Sequence, residues 1–175
     1  YDAIRDACLA VSDPDAQMYG WGRTVNKGGD GQGGVTEIIQ NWGGQITNAD
    51  MTELTFNSPE TLAAVEWLAE LYTSDKYAPM LPPGVLAWTD SSNNEAYLAG
   101  NIAYTANAGS VYAKAKADGN PVFEDTVVLN VPVGPRGEQL IGGGGDGQMY
   151  VPTGAKATDL AKQLALHMLN PDIFL

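Results

Sequence analysis

The chain has 175 residues, 44% of them hydrophobic, which suits one well-formed core and excludes an intrinsically disordered chain. Its net charge of −12 lacks the basic face that a nucleic-acid partner needs and offers nothing to anionic lipid, so the acidic surface reads as a solubility device. No apolar run approaches membrane-span length, and the single cysteine, Cys8, cannot close an internal disulfide.

In chain order, a helix is predicted over 2–11, where Ile4, Ala7, Cys8 and Val11 share a face and Cys8 becomes a buried, inert thiol. The chain opens at Tyr1 inside this helix and closes at Leu175 just past a helix stop, so both ends are expected to be cuts in a longer protein. A strand is expected at 17–21. The glycine-rich run Gly28–Gly34 is expected to be an ordered loop, followed by a helix over 35–43 that ends in Gly43-Gly44. The best-marked helix covers 59–73, with Ser58 as N-cap, Pro59 at the first helical position and Glu60 at the positive end of the dipole. Leu62, Val65, Leu68, Ala69 and Tyr72 form its expected buried stripe, and Trp67 is assigned to the core. A short helix over 92–99 stops at Gly100, a strand follows at 102–106, and the turn Asn107–Ser110 opens a helix over 109–118. Further strands are expected at 126–131 and 148–152, with Val131–Gly137 leaving the sheet as an edge strand through a Pro-Gly turn. A second glycine run, Gly142–Gly147, is also expected to be an ordered loop. A last helix over 156–169 carries Leu160, Ala161, Leu164 and Met168 on one side and stops at Asn170-Pro171. Alternating strands and helices make an α/β domain with helices packed on a sheet.

Motifs for catalysis are scarce. The one histidine, His167, borders the last helix's apolar stripe and reads as a packing or surface residue. No spacing of His, Cys and carboxylates suggests a metal, no G-x-S-x-G elbow occurs, and no cofactor motif is present. Gly28–Gly34 is followed by no Gly-Lys-Ser/Thr and departs from G-x-G-x-x-G, so it is neither a phosphate loop nor a dinucleotide fingerprint. The pattern fits binding better. Flat aromatic rings stack on sugar faces while Asp, Asn, Gln and backbone amides take the hydroxyls. Tyr19 and Trp21, Trp42, Trp88 and Tyr112 all lie close to polar turns. Trp42 and Trp88 could each face either a ligand or the core.

Several blocks, in order along nearly the whole chain, resemble extracellular solute-binding proteins of ABC importers. They are the glycine loop and helix from Gly31 to Gly44, Asn57-Ser58-Pro59-Glu60 opening a long helix, and Asn94 to Ala103 followed by Asn107-Ala-Gly109-Ser110. Pro132 to Pro135, the Gly142 run with Tyr150-Val-Pro152, and the helix ending Leu169-Asn170-Pro171-Asp172 complete the series. The resemblance is to the family 1, maltose-binding-like carbohydrate binders, and chiefly to their C-terminal lobe. It implies that residues 1–175 form a single α/β lobe of the periplasmic binding protein-like type II kind, with helices packed around a mixed β-sheet, and that the other lobe is largely absent. It implies no enzyme and no cofactor. The expected ligand is a carbohydrate held between two lobes, and the expected partners are membrane permease subunits. The protein is expected to be a monomer in the periplasm or outside the cell, with lipid anchoring left open.

By position, the family's ligand-facing loops fall on Asp30, Gly31 and Gln32, on Asn107, Gly109 and Ser110, and on Gly143 and Gly144; Trp42 and Tyr112 join them as aromatic candidates. Many maltose-type members carry a tryptophan where this chain has the small residues 107–110. The binding reading expects Asp30, Trp42, Asn107 and Ser110 to converge on one concave face. The alternatives are a fragment of a glycosidase, which needs two facing acids in a cleft, and a binder of the same fold for a non-sugar solute.

Overall fold

The computed structural model describes residues 1–140 and 149–170. The chain divides into two compact units, Tyr1–Gly143 and Gly144–Leu175.

The first unit begins with α1 (Asp2–Val11) and a 3-10 turn over Pro14–Ala16, then turns into β1 (Tyr19–Trp21). The buried side of α1 centres on Cys8, with Ile4 and Leu9 beside it, whereas Val11 is 54% exposed, so the predicted face is rotated. Gly20 is required here, because a Cβ at that position would lie 2.0 Å from the Cys8 carbonyl oxygen. Burial pushes the Cys8 thiol up to about 12, consistent with an inert packing role.

β1 pairs with β2 (Ile102–Tyr104) in a two-stranded parallel sheet, in the register Tyr19 to Ile102 and Trp21 to Tyr104. This corrects the expected mixed sheet: among the described residues it is parallel throughout and has two strands. Val127, Val128 and Leu129, expected as a strand, are 67–77% exposed and unpaired by any ladder. A β-branched run becomes a strand only where a neighbouring edge is available. Residues 149–152 likewise lie outside any strand, and residue 148 lies outside the described residues. Residues 131–137 form a turn instead of an edge strand: Gly134 N–H donates to the Glu138 carbonyl at 2.7 Å and Gly137 N–H to Gly134 at 3.0 Å. The segment is held by Asn41, fully buried, whose amide donates to the Leu140 carbonyl at 2.8 Å and accepts from the Leu140 N–H at 2.8 Å.

Helix α2 runs over Gly29–Asn41, six residues longer at its start than expected, and takes in most of the glycine run. Helix α3 (Pro59–Thr73) starts as the sequence indicates: Ser58 Oγ accepts from the Thr61 N–H at 3.2 Å, and Pro59 is the first helical residue. Its buried face is Thr61, Ala64, Leu68 and Leu71, while Leu62 and Val65 are 58% and 44% exposed. Ring packing decides this rotation. Rings run in file through the core, from Tyr1 to Trp42 (5.0 Å), Trp42 to Trp67 (5.2 Å), Trp67 to Trp21 (6.1 Å) and Trp21 to Tyr104 (5.1 Å). The small Ala64 is fully buried in the same cluster as Trp42, with Trp67 against it.

Helix α4 (Ser92–Leu98) ends at Gly100, whose left-handed φ of 73° lets Gly100 N–H reach the Tyr97 carbonyl and Asn101 N–H reach Ala96. Helix α5 (Gly109–Ala117) follows β2 and buries Val111 and Ala115 against Tyr97 and Ile102. In the second unit, α6 (Thr158–Met168) has Leu160, Leu164 and Met168 exposed, along with His167. No helix among the described residues is long and apolar enough to cross a membrane.

Candidate functional site

In a parallel sheet the loops after the strands gather at one edge, and ligands of open α/β sheets bind there. The loop after β1 leads into α2 and the loop after β2 leads into α5. Side chains tie these two helix starts to that of α4. Asp30, in the first turn of α2, accepts from the Asn93 amide of α4 at 3.1 Å. Asn94, next along α4, accepts from the Asn107 amide just before α5. Asn107 Oδ1 also accepts from the Ala108 N–H at 2.7 Å, so its side chain is held at both ends. Asn93 is 1% exposed, whereas Asp30 and Asn107 are exposed. Beside them, the Thr105 hydroxyl is buried and has no hydrogen-bond partner among the described residues.

The start of α2 is capped from a distance. The Asp90 carboxylate accepts from the Gly29 N–H at 2.8 Å and the Asp30 N–H at 3.4 Å, and from the Asn26 amide at 3.0 Å. Those donors, Asn26 first and the two backbone groups after it, hold the Asp90 carboxyl below the usual carboxylate range against a smaller opposing effect of desolvation. Four glycines inside a helix cost about 1 kcal/mol each relative to alanine, so this turn depends on such tertiary contacts. Two of the glycines serve close packing. A Cβ on Gly31 would lie 2.2 Å from the Asn26 carbonyl oxygen, and one on Gly34 would lie 2.8 Å from Arg23 Nη2.

Arg23, just beyond β1, is 6% exposed and pairs with Glu37 of α2 at 3.3 Å. Glu37 also accepts from the Tyr1 hydroxyl at 3.0 Å. Burial acts against the Arg23 charge, but Tyr104, Glu37, Tyr1 and Tyr72 outweigh it and leave the guanidinium more basic than usual. Among the described residues no three His, Cys, Asp or Glu side chains gather as a metal site.

The expected convergence of Asp30, Trp42, Asn107 and Ser110 is met only in part. Asp30 and Asn107 are drawn together through the Asn93-Asn94 pair, and Gly109 and Ser110 lie exposed at the start of α5. Asp30, Gly31 and Gln32 are helical, not a loop, and Gly31 is buried. Trp42 is a core residue at 8% exposure, about 18 Å along α2 from Asp30 by helical rise. It packs with Tyr1, Ile38, Ile39, Ala64 and Leu68 because an indole among these apolar side chains gains more from burial than from facing water. Trp88 packs against the Tyr97 cluster, and Tyr112 lies 5.5 Å from the Phe123 ring. Gly143 and Gly144 lie outside the described residues. Asn93, Asn94, Asp90 and Thr105 are not among the site residues to which the sequence points. The adjacent asparagines in the first turn of a predicted helix were the available signal, since asparagine favours helix starts when its side chain has a partner.

Two solved structures share this fold. One is an ABC transporter solute binding protein from Thermotoga lettingae bound with alpha-D-tagatose, with 18% identity and a TM-score of 0.78. The other is maltose-bound T. maritima MalE3, with 17% identity and a TM-score of 0.79. In each case 99% of this chain is covered, and the chain spans 43% of the length of the structure it matches. No curated protein matches the chain. The sequence profile described as bacterial extracellular solute-binding protein matches residues 6–175, so the chain belongs to that family.

Proposed function

We propose that this chain supplies one lobe of the extracellular solute-binding component of an ABC importer, and that its ligand is a sugar or oligosaccharide. The observation that carries the reading is the polar cluster at the carboxyl edge of β1 and β2, where Asp30, Asn93, Asn94 and Asn107 join three helix starts. Carboxylate and amide side chains, with the first N–H groups of α5, match the alternating donors and acceptors of a hydroxyl rim. The tagatose and maltose bound to the two similar structures support the carbohydrate class.

The mechanism is capture by closure. A ligand that touches both lobes favours the closed state only by its extra affinity for that state. The closed form then docks on permease subunits in the membrane, so the protein works outside the cytoplasmic membrane and performs no chemistry on its ligand.

A thermal-shift screen of the intact two-lobed protein against mono- and oligosaccharides, D-tagatose and maltose among them, tests this. A true ligand raises the melting temperature through selective affinity for the native state. A shift with polyamines or peptides and with no carbohydrate would replace the sugar by another solute. Hydrolysis of chromogenic glycosides would point to an enzyme instead.

A further inference from the structure

We infer that Asp90 is a clasp on the glycine-rich first half of α2, and that Gly28–Gly34 winds and unwinds as a local unit that carries Asp30 to and from Asn93. The inference stands whatever ligand the chain takes.

Five of the seven residues from Gly28 to Gly34 are glycine, the weakest helix former after proline, yet α2 begins at Gly29. The helix has no side-chain cap of its own, because its N-cap is Gly28. The carboxylate that closes it belongs to Asp90, sixty-one positions beyond Gly29, and that side chain is exposed to water. Asn26 holds the assembly from below, donating to Asp90 at 3.0 Å and accepting from the Gly28 N–H at 2.9 Å.

The two halves of α2 differ in what keeps them folded. Ile38, Ile39 and Asn41 are buried in the core, whereas Gly29, Asp30, Gln32 and Gly33 are exposed. The glycines of the first half differ among themselves. A Cβ on Gly28 would lie 2.3 Å from an Asp90 carboxylate oxygen and one on Gly31 would meet the Asn26 backbone, so the wound form needs those two. A Cβ on Gly33 would meet nothing within 4 Å, and its backbone is helical. Glycine there adds freedom to the unwound form and nothing to the wound one. When the segment unwinds, the Asp30 carboxylate leaves the amide of Asn93, which is otherwise 1% exposed. Asp90 therefore acts as a positioning residue for the polar cluster.

Hydrogen exchange read by mass spectrometry on the whole chain tests this, comparing peptides over 28–34 with peptides over α3. In the unaltered chain the 28–34 amides should exchange faster than those of α3. Asp90→Ala should speed exchange over 28–34 by about fivefold, the loss of one helix cap, and leave α3 unchanged. Gly33→Ala should slow exchange over 28–34 by about fivefold. Protection of 28–34 equal to that of α3 in the unaltered chain would overturn the idea. So would an equal loss over α3 in Asp90→Ala, failure of that variant to fold, or no slowing in Gly33→Ala.

Discussion

The indole N–H of Trp21 donates to the Tyr72 hydroxyl at 2.9 Å, and that hydroxyl donates in turn to the Arg23 carbonyl at 2.7 Å. The two bonds tie α3 to the end of β1, where the chain turns toward the polar cluster. Trp21 is fully buried, so its N–H has no water to fall back on. Burial also pushes the Tyr72 phenol up to about 12, which keeps it a neutral donor. Tyr72→Phe should therefore cost about 1–3 kcal/mol, the penalty of stranding a buried donor. Urea denaturation checks this, and a loss below about 0.5 kcal/mol would mean that the indole finds another partner.

Arg23 and Glu37 form a buried ion pair with side chains 6% and 13% exposed. Removing one partner leaves a charge in a medium that solvates it poorly. Glu37→Gln should cost about 3 kcal/mol or more, while the double replacement Arg23→Met with Glu37→Leu should cost less than that single change. The comparison is made by the same denaturation measurement. Additive losses would contradict the pairing.

The Asp90 cap should titrate. Its folded carboxyl is held below the ordinary value of 3.8, so its contribution is present above that value and fades as pH falls through the folded value. The Gly29 amide resonance in NMR should therefore keep its hydrogen-bonded shift down to the ordinary carboxyl value of 3.8 and lose it only as the pH falls below that. Asp30 is the neighbouring acid at this helix start, and Asp30→Asn should leave the transition in place whereas Asp90→Asn should abolish it.

Trp42 and Asn107 should separate stability from binding. Trp42→Ala opens the ring file in the core and should cost about 3–5 kcal/mol. Asn107 is exposed, so Asn107→Ala should change stability by less than about 1 kcal/mol. On the proposed function it should weaken carbohydrate binding by about tenfold, the worth of one or two hydrogen bonds. Calorimetric titration of the intact protein with its sugar reads the second effect, and unchanged affinity would remove Asn107 from the site.

Local chemistry made much of this chain legible in advance. Ser58-Pro59-Glu60 starts α3, Gly100 ends α4, and Ile102 to Tyr104 makes a strand, because caps, φ limits and β-branching act within a few residues of where they are read. The family resemblance rested on the order of those same signals. Choices made by partners distant in the chain were not legible. Gly29 to Gly34 looks like a loop until Asp90 caps it and Asn26 and Arg23 close on its bare backbone. Leu68 is buried as its position in the stripe predicts, but Leu62 and Val65 look buried until the ring file claims Ala64 instead. Val127 to Leu129 reads as a strand but meets no sheet edge to pair with among the described residues. Sequence by itself determined where most helices begin and stop, since those are nearest-neighbour effects. Tertiary structure alone decided which faces are buried and which polar side chains meet, since packing and hydrogen bonding depend on the groups the fold brings alongside.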